Sequence, residues 1–134
     1  KDYAPGGDHG FNPTPVFETS SCLSKNRYDY IFNHRLSDKH FQTYDSTNGW
    51  IRASMKAVKK IRRNAHKVDL PILLFQAELD TLVNPKRQVR FANHSKNTKL
   101  IFMPGSKHEI FNALTSTRID YYTQLFLFLD EQFS

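Results

Sequence analysis

The sequence predicts an α/β fold built on a parallel sheet, and three observations carry that prediction. Two short runs, Ile72-Leu73-Leu74-Phe75 and Leu100-Ile101-Phe102, are apolar on both faces. Continuous apolar runs of this kind suit parallel strands covered by helices on each side. Helix-period segments follow each run, giving strand, helix, strand, helix, a string that winds a parallel sheet. Each run also leads directly into a polar motif, Gln76–Val83 in one case and Pro104–Glu109 in the other. In open α/β sheets the functional loops lie past the carboxyl ends of the strands.

The elements follow in order. Residues 1–47 are polar, aromatic and irregular. Asp2 to Pro15 holds three Gly and three Pro and reads as loop. Ser24 to His34 reads as a helix capped by Ser24, with Tyr28, Ile31 and Phe32 on one face. Ser37 to Tyr44 reads as a further short helical turn. Small helices and long loops suit a lid better than a core. From Thr47 the pattern becomes regular: Trp50, Ile51, Met55, Val58, Ile61 and Ala65 follow helical spacing. Pro71 ends that segment and opens the first strand. Asn84-Pro85 starts a helix through about Asn93, anchored by Val89 and Phe91. Lys99–Met103 is the second strand, stopped by Pro104-Gly105. A last helix runs from about Ser116 to Gln132, with Ile119, Tyr122, Leu125, Phe126 and Leu129 as its apolar stripe.

The length of 134 residues corresponds to about one domain. Eleven Phe and six Tyr supply a core, although the hydrophobic share of 39% is low for a self-contained domain. The chain opens on Lys1 rather than Met, so it is expected to start inside a longer gene product, and the signal sequence of that product is not visible. No apolar run reaches the roughly 20 residues of a membrane-spanning helix. Cys22 is the single cysteine, which excludes an internal disulfide, and its Ser-Ser-Cys-Leu setting offers no neighbouring base to activate a nucleophile. The six histidines show no H-E-x-x-H or C-x-x-C spacing; His34, His40 and the Asp8-His9 pair in a glycine loop do not make a metal site. No P-loop or G-x-G-x-x-G occurs.

Net charge is +6. Such a surface can sit against anionic lipid headgroups, bind nucleic acid, or simply be solvated. Lys56, Lys59, Lys60, Arg63 and Lys67 lie mostly off the apolar stripe of the helix after Thr47. A functional role for them would draw a lipid headgroup or bilayer surface towards the site. Nucleic acid is disfavoured, because no recognised binding fold accompanies the charge.

The chemistry centres on Asp80 and His108, each just past a predicted strand. Acid before histidine is the order of the last two members of a serine hydrolase triad. The histidine takes the proton of a serine hydroxyl and later donates it to the leaving group; the acid holds the other ring nitrogen and stabilises the imidazolium. One helical crossover between adjacent strands separates the two motifs. Glu78 is a rival acid nearer the strand, where its side chain can face away from His108. Glu109 reads as a helix N-terminal acid. Ser106 is close to His108 in sequence but lacks the strand–elbow–helix setting of a nucleophile. No G-x-S-x-G elbow occurs in the chain. The alternative is that Asp80 caps a turn and His108 is a surface histidine.

Gln76–Val83 resembles the H-G-x-x-D-x-x-V acid motif of α/β-hydrolases, and Gly105-Ser106-Lys107-His108-Glu109 resembles their G-x-x-H-E histidine motif. Asn12-Pro13-Thr14-Pro15-Val16-Phe17, Leu23-Ser24-x-x-Arg27-Tyr28 and Thr47-Asn48-Gly49-Trp50-Ile51-Arg52 resemble the lid of the bacterial lysophospholipase and monoacylglycerol lipase branch. Gln76-Ala77 departs from the usual His-Gly. The resemblance implies the C-terminal part of an α/β-hydrolase fold: residues 1–47 as lid, residues 48–134 as the last parallel strands with their flanking helices. It implies Asp80 as triad acid, His108 as triad base, no metal and no cofactor. It further implies a carboxylic ester hydrolase that releases a fatty acid from a lysophospholipid or monoacylglycerol, cytoplasmic and peripheral to the inner membrane. A non-catalytic interaction module with the same fold is the alternative of a different class. With the nucleophile missing and two strands apolar on both faces, the expected partner is the N-terminal half of the same protein or a second copy of this chain.

Overall fold

The computed structural model describes residues 3–5, 7 and 10–133. Among them the order is helix α1 (Lys25–Ser37), a 3-10 turn (Lys39–Phe41), helix α2 (Asn48–Asn64), a 3-10 turn (Ala65–Lys67), strand β1 (Ile72–Ala77), helix α3 (Pro85–His94), strand β2 (Thr98–Met103), a 3-10 turn (Ile110–Asn112) and helix α4 (Thr115–Phe133). The loop expected before Pro15 contains no helix among its described residues, and Tyr3 forms an antiparallel bridge with Thr47. The Asp8-His9 pair lies outside the described residues.

β1 and β2 pair in parallel, in the register Phe75↔Ile101, Gln76↔Phe102 and Ala77↔Met103. Alternation puts Phe75, Ala77, Ile101 and Met103 on one face. There Ala77 and Met103 join Ile110 in a small core, with Tyr121 of α4 packed against it; the rings of Phe75 and Tyr121 lie 4.6 Å apart. The opposite face meets α3: Gln76 Nε2 donates to the Pro85 carbonyl at 2.9 Å, and Gln88 Nε2 donates to the Phe75 carbonyl at 3.2 Å. The helices therefore flank the sheet on both sides, as the doubly apolar strands require.

Coverage is nevertheless incomplete. Of the strand residues only Gln76, Ala77 and Met103 are buried, and Phe102 is exposed. The described residues contribute two strands, so each keeps an unpaired edge. The stripe of α2 is also bare, with Trp50 62% exposed and Met55, Val58 and Ile61 open to solvent. In α4 the stripe named from the sequence faces largely outwards, with Phe126 59% exposed, because α4 is apolar on more than one side and turns Tyr121 inwards. Val89 is likewise exposed, and Gln88 makes the sheet contact in α3.

Two helix caps show how the sequence directs the chain. Thr47 Oγ1 accepts from the Trp50 N–H at 3.2 Å, starting α2. Ser24 occupies the equivalent place before α1 but makes no side-chain cap bond; its carbonyl accepts from Tyr28 N, and the helix runs on to Ser37 rather than ending at His34.

Candidate active site

The level register of β1 and β2 sets their two following loops side by side. Glu78 N donates to the Met103 carbonyl at 3.2 Å, and Leu79 N to the Ser106 carbonyl at 2.8 Å. Gly105 N donates to Glu78 Oε2 at 2.7 Å. Gly105 sits at φ 60°, the left-handed region that favours glycine, and so turns the chain back after β2. Glu78 thus clamps the histidine loop from outside and does not contact His108.

Between these loops Asp80 Oδ2 lies 2.9 Å from His108 Nδ1. Asp80 Oδ1 accepts from Leu82 N at 2.8 Å and Val83 N at 3.0 Å. The carboxylate therefore caps its own loop and holds the histidine at once, so capping and pairing are not alternatives. The Asp80 side chain is 6% exposed, whereas that of His108 is 42% exposed. Burial pushes the Asp80 carboxyl up, but the hydrogen bond from His108 and those from Val83 and Leu82 outweigh it and hold the group below its ordinary value. A carboxylate at Nδ1 requires that nitrogen to donate, which leaves Nε2 of a neutral ring as an acceptor. His108 also borders a cleft of about 260 Å³ with Leu79, Leu82, Ser20, Ser21 and Lys107.

The neighbouring residues sort clearly. Ser106 is fully buried and its Oγ donates to the Met103 carbonyl at 2.7 Å, so it supports the turn. Glu109 precedes the 3-10 turn, and its Oε2 accepts from Asn112 Nδ2 at 2.7 Å. Cys22 is buried, its Sγ lies 3.2 Å from the Ser24 and Asn112 carbonyls, and burial pushes its thiol up. Among the described residues no three His, Cys, Asp or Glu side chains gather to hold a metal.

Sequence reasoning missed the ties between the N-terminal region and the histidine loop. Lys107 Nζ donates to the carbonyls of Ser20 at 2.9 Å and Glu18 at 3.3 Å. Glu109 N donates to Ser21 O, and Ser24 N to Asn112 O, both at 3.1 Å. Arg27 Nε donates to the side chain of buried Asn112 at 2.8 Å. These contacts join residues far apart in sequence, and no local pattern signals them.

A family model described as serine aminopeptidase, S33, matches residues 24–114, most of the chain and both loops of the site. The chain belongs to that family. It is an α/β-hydrolase of the serine-hydrolase type, and the parallel pair of strands with flanking helices is consistent with part of that fold. The S33 match is coarser than the lysophospholipase and monoacylglycerol lipase branch. No curated protein matches the chain.

Proposed function

We propose that the protein is a carboxylic ester hydrolase in which Asp80 and His108 are the acid and base of a Ser-His-Asp triad, acting on lysophospholipids and releasing a fatty acid. The observation that carries the reading is the 2.9 Å contact between Asp80 Oδ2 and His108 Nδ1, with the ring half open to the adjoining cleft. In the reaction His108 Nε2 takes the proton of a serine hydroxyl as the oxygen attacks the acyl carbonyl. Asp80 stabilises the imidazolium, which then protonates the leaving alcohol; water releases the fatty acid by the same route.

Residues 1–47 act as lid and residues 48–134 as core. A cleft of about 520 Å³ beside the histidine loop is lined on its apolar side by Phe11, Val16, Ile31 and Phe32 and on its polar side by residues such as Asn12, Arg35, Thr43 and Glu109. The apolar side of this lining suits an acyl chain. The nucleophile and oxyanion donors come from outside these 134 residues, on strands that cover the bare edges of β1 and β2. That partner is the N-terminal half of the same enzyme; a second copy of this chain would add no elbow. The basic charge of α2 supports a peripheral contact with an anionic membrane. The family description favours a second reading, hydrolysis at a peptide N-terminus.

The test assays the full-length enzyme on lysophosphatidylcholine, a monoacylglycerol, a short-chain ester and an aminoacyl anilide. Fastest turnover on lysophosphatidylcholine, rising on anionic vesicles and falling with salt, is the expected result. Preference for the short-chain ester counts against a lipid substrate, and preference for the anilide establishes the peptidase reading. His108→Ala should abolish turnover with the fold retained; retained turnover removes the triad role. Size measurement of this chain alone should show association, and a stable monomer would contradict the need for a covering partner.

A further inference from the structure

The cationic charge is not spread evenly over the surface. Lys59, Arg62 and Arg63 of α2 stand at helical spacings of three and four, on one face. Arg87, Arg90, Phe91 and His94 of α3 repeat the pattern over two turns. Both faces converge on one cleft of about 530 Å³, floored by buried Ala65 and half-buried Phe91. No acidic side chain lines it, and neither helix contains an Asp or Glu.

Among the described residues none of these five Lys and Arg side chains forms an ion pair. The ion pairs that do form use Lys25, Lys96 and Lys99 instead. Gathering like charges without acids is unfavourable on its own. All five side chains are exposed and solvated, and no carboxylate competes for them with an anion that enters the cleft. His94 is held in place as well: its Nδ1 donates to the Arg90 carbonyl at 2.8 Å, leaving Nε2 as the remaining polar atom of the ring.

We infer that the cleft between α2 and α3 is a binding site for a phosphate-bearing anion, a phosphomonoester or a diphosphate. Guanidinium forks bind phosphate oxygens two at a time, and four arginines facing one cleft fit a group with several such oxygens. An apolar floor strengthens each contact by excluding water from one side. The ligand is either a soluble phosphorylated molecule or a phosphomonoester lipid headgroup; the recognising chemistry is the same. Neither Asp80 nor His108 lines the cleft, so the inference does not rest on the ester-hydrolase reading.

The test uses the full-length protein with two probes. Inorganic pyrophosphate is titrated by calorimetry, and vesicles of phosphatidylcholine with and without phosphatidic acid are used for cosedimentation. Saturable pyrophosphate binding identifies a soluble ligand; binding confined to the phosphatidic acid vesicles identifies a headgroup. In either case Arg62→Gln with Arg90→Gln should weaken binding by about tenfold or more, since each removes a charge-assisted contact. Lys39→Gln with Lys86→Gln removes the same charge outside the cleft and outside α2, and should change affinity by less than about twofold. Should the arginine pair fail to fold by circular dichroism, Arg90→Lys keeps the charge, loses the fork, and should still weaken binding measurably. Absence of saturable binding to both probes overturns the site. An equal loss in the lysine pair overturns it too, because a diffuse field would then suffice.

Discussion

Asp80→Asn is the most direct perturbation of the candidate site, because it keeps the shape of the side chain and removes only its charge. The Asn Oδ1 can still accept from Leu82 and Val83 N–H, so the loop is expected to hold. What changes is the 2.9 Å contact to His108. An amide NH₂ facing Nδ1 makes that nitrogen an acceptor and moves the ring proton to Nε2, the atom that has to receive the serine proton. The imidazolium formed in the reaction also loses its counter-charge. At about 4 Å between charge centres and an effective dielectric near 20, that attraction is about 4 kcal/mol, or a factor of roughly 10³ in rate. Partial exposure of His108 lowers this figure, and the wrong tautomer raises the total cost, so kcat should fall by about 10³ to 10⁴. The assay is ester turnover by the full-length enzyme, with far-ultraviolet circular dichroism to confirm the fold. A variant that keeps kcat within about tenfold of the parent would refute the reasoning and leave Asp80 as a loop cap.

The same carboxylate makes stability depend on pH. Its folded value lies below the ordinary 3.8, so the unfolded chain binds the proton more readily; the contribution is present above that value and is lost as pH falls through the folded one. Thermal unfolding between about pH 5 and 2.5, a window that brackets the ordinary range of a carboxylate, should show the gap between parent and Asp80→Asn closing on acidification. Gly105→Ala meets no atom within 4 Å, so its cost is the left-handed backbone alone, about 1–2 kcal/mol in denaturant unfolding. Asn112→Ala removes the group that links Arg27 and Glu109 and should cost about 1–3 kcal/mol, with faster proteolysis before Lys25.

The regular half of the chain was legible because its signals are local. Pro71, Asn84-Pro85 and Pro104-Gly105 punctuate it, and the apolar runs between them became β1 and β2 within a residue or two. Asp80 and His108 were legible for the same reason: each follows its strand directly, and a parallel pair in level register has to bring the two loops together. Burial was harder to read. Helical spacing placed Trp50, Met55, Val58 and Ile61 on one face of α2, but spacing does not say whether anything packs there. In α4 two apolar faces compete, and Tyr121 rather than Tyr122 meets the sheet, a choice decided by the tertiary contact with Phe75. The N-terminal region was least legible. Its order rests on hydrogen bonds such as Arg27 to Asn112, where both partners are ordinary polar residues until the chain has folded.

The half-site is complete where it is local and open where it is not. The contacts that fix Asp80 against His108 come from the strand ladder, the Glu78 clamp on Gly105 and the two N–H groups on Asp80 Oδ1, with Lys107 and Glu109 tying the histidine loop to Glu18, Ser20 and Ser21. The Asp80–His108 geometry therefore depends on the crossover unit and its ties to residues 18–21, while the bare faces of α2 and α4 lie elsewhere. An α/β-hydrolase joins its triad across loops from separate strands, so the precision of the pair and the supply of the nucleophile are separable demands. Here the first is met by the crossover together with its ties to residues 18–21. If the proposed triad holds, substitutions at Glu78 or Gly105 are expected to alter turnover through the Asp80–His108 geometry, whereas those on the exposed stripe of α2 are expected to leave that geometry unchanged.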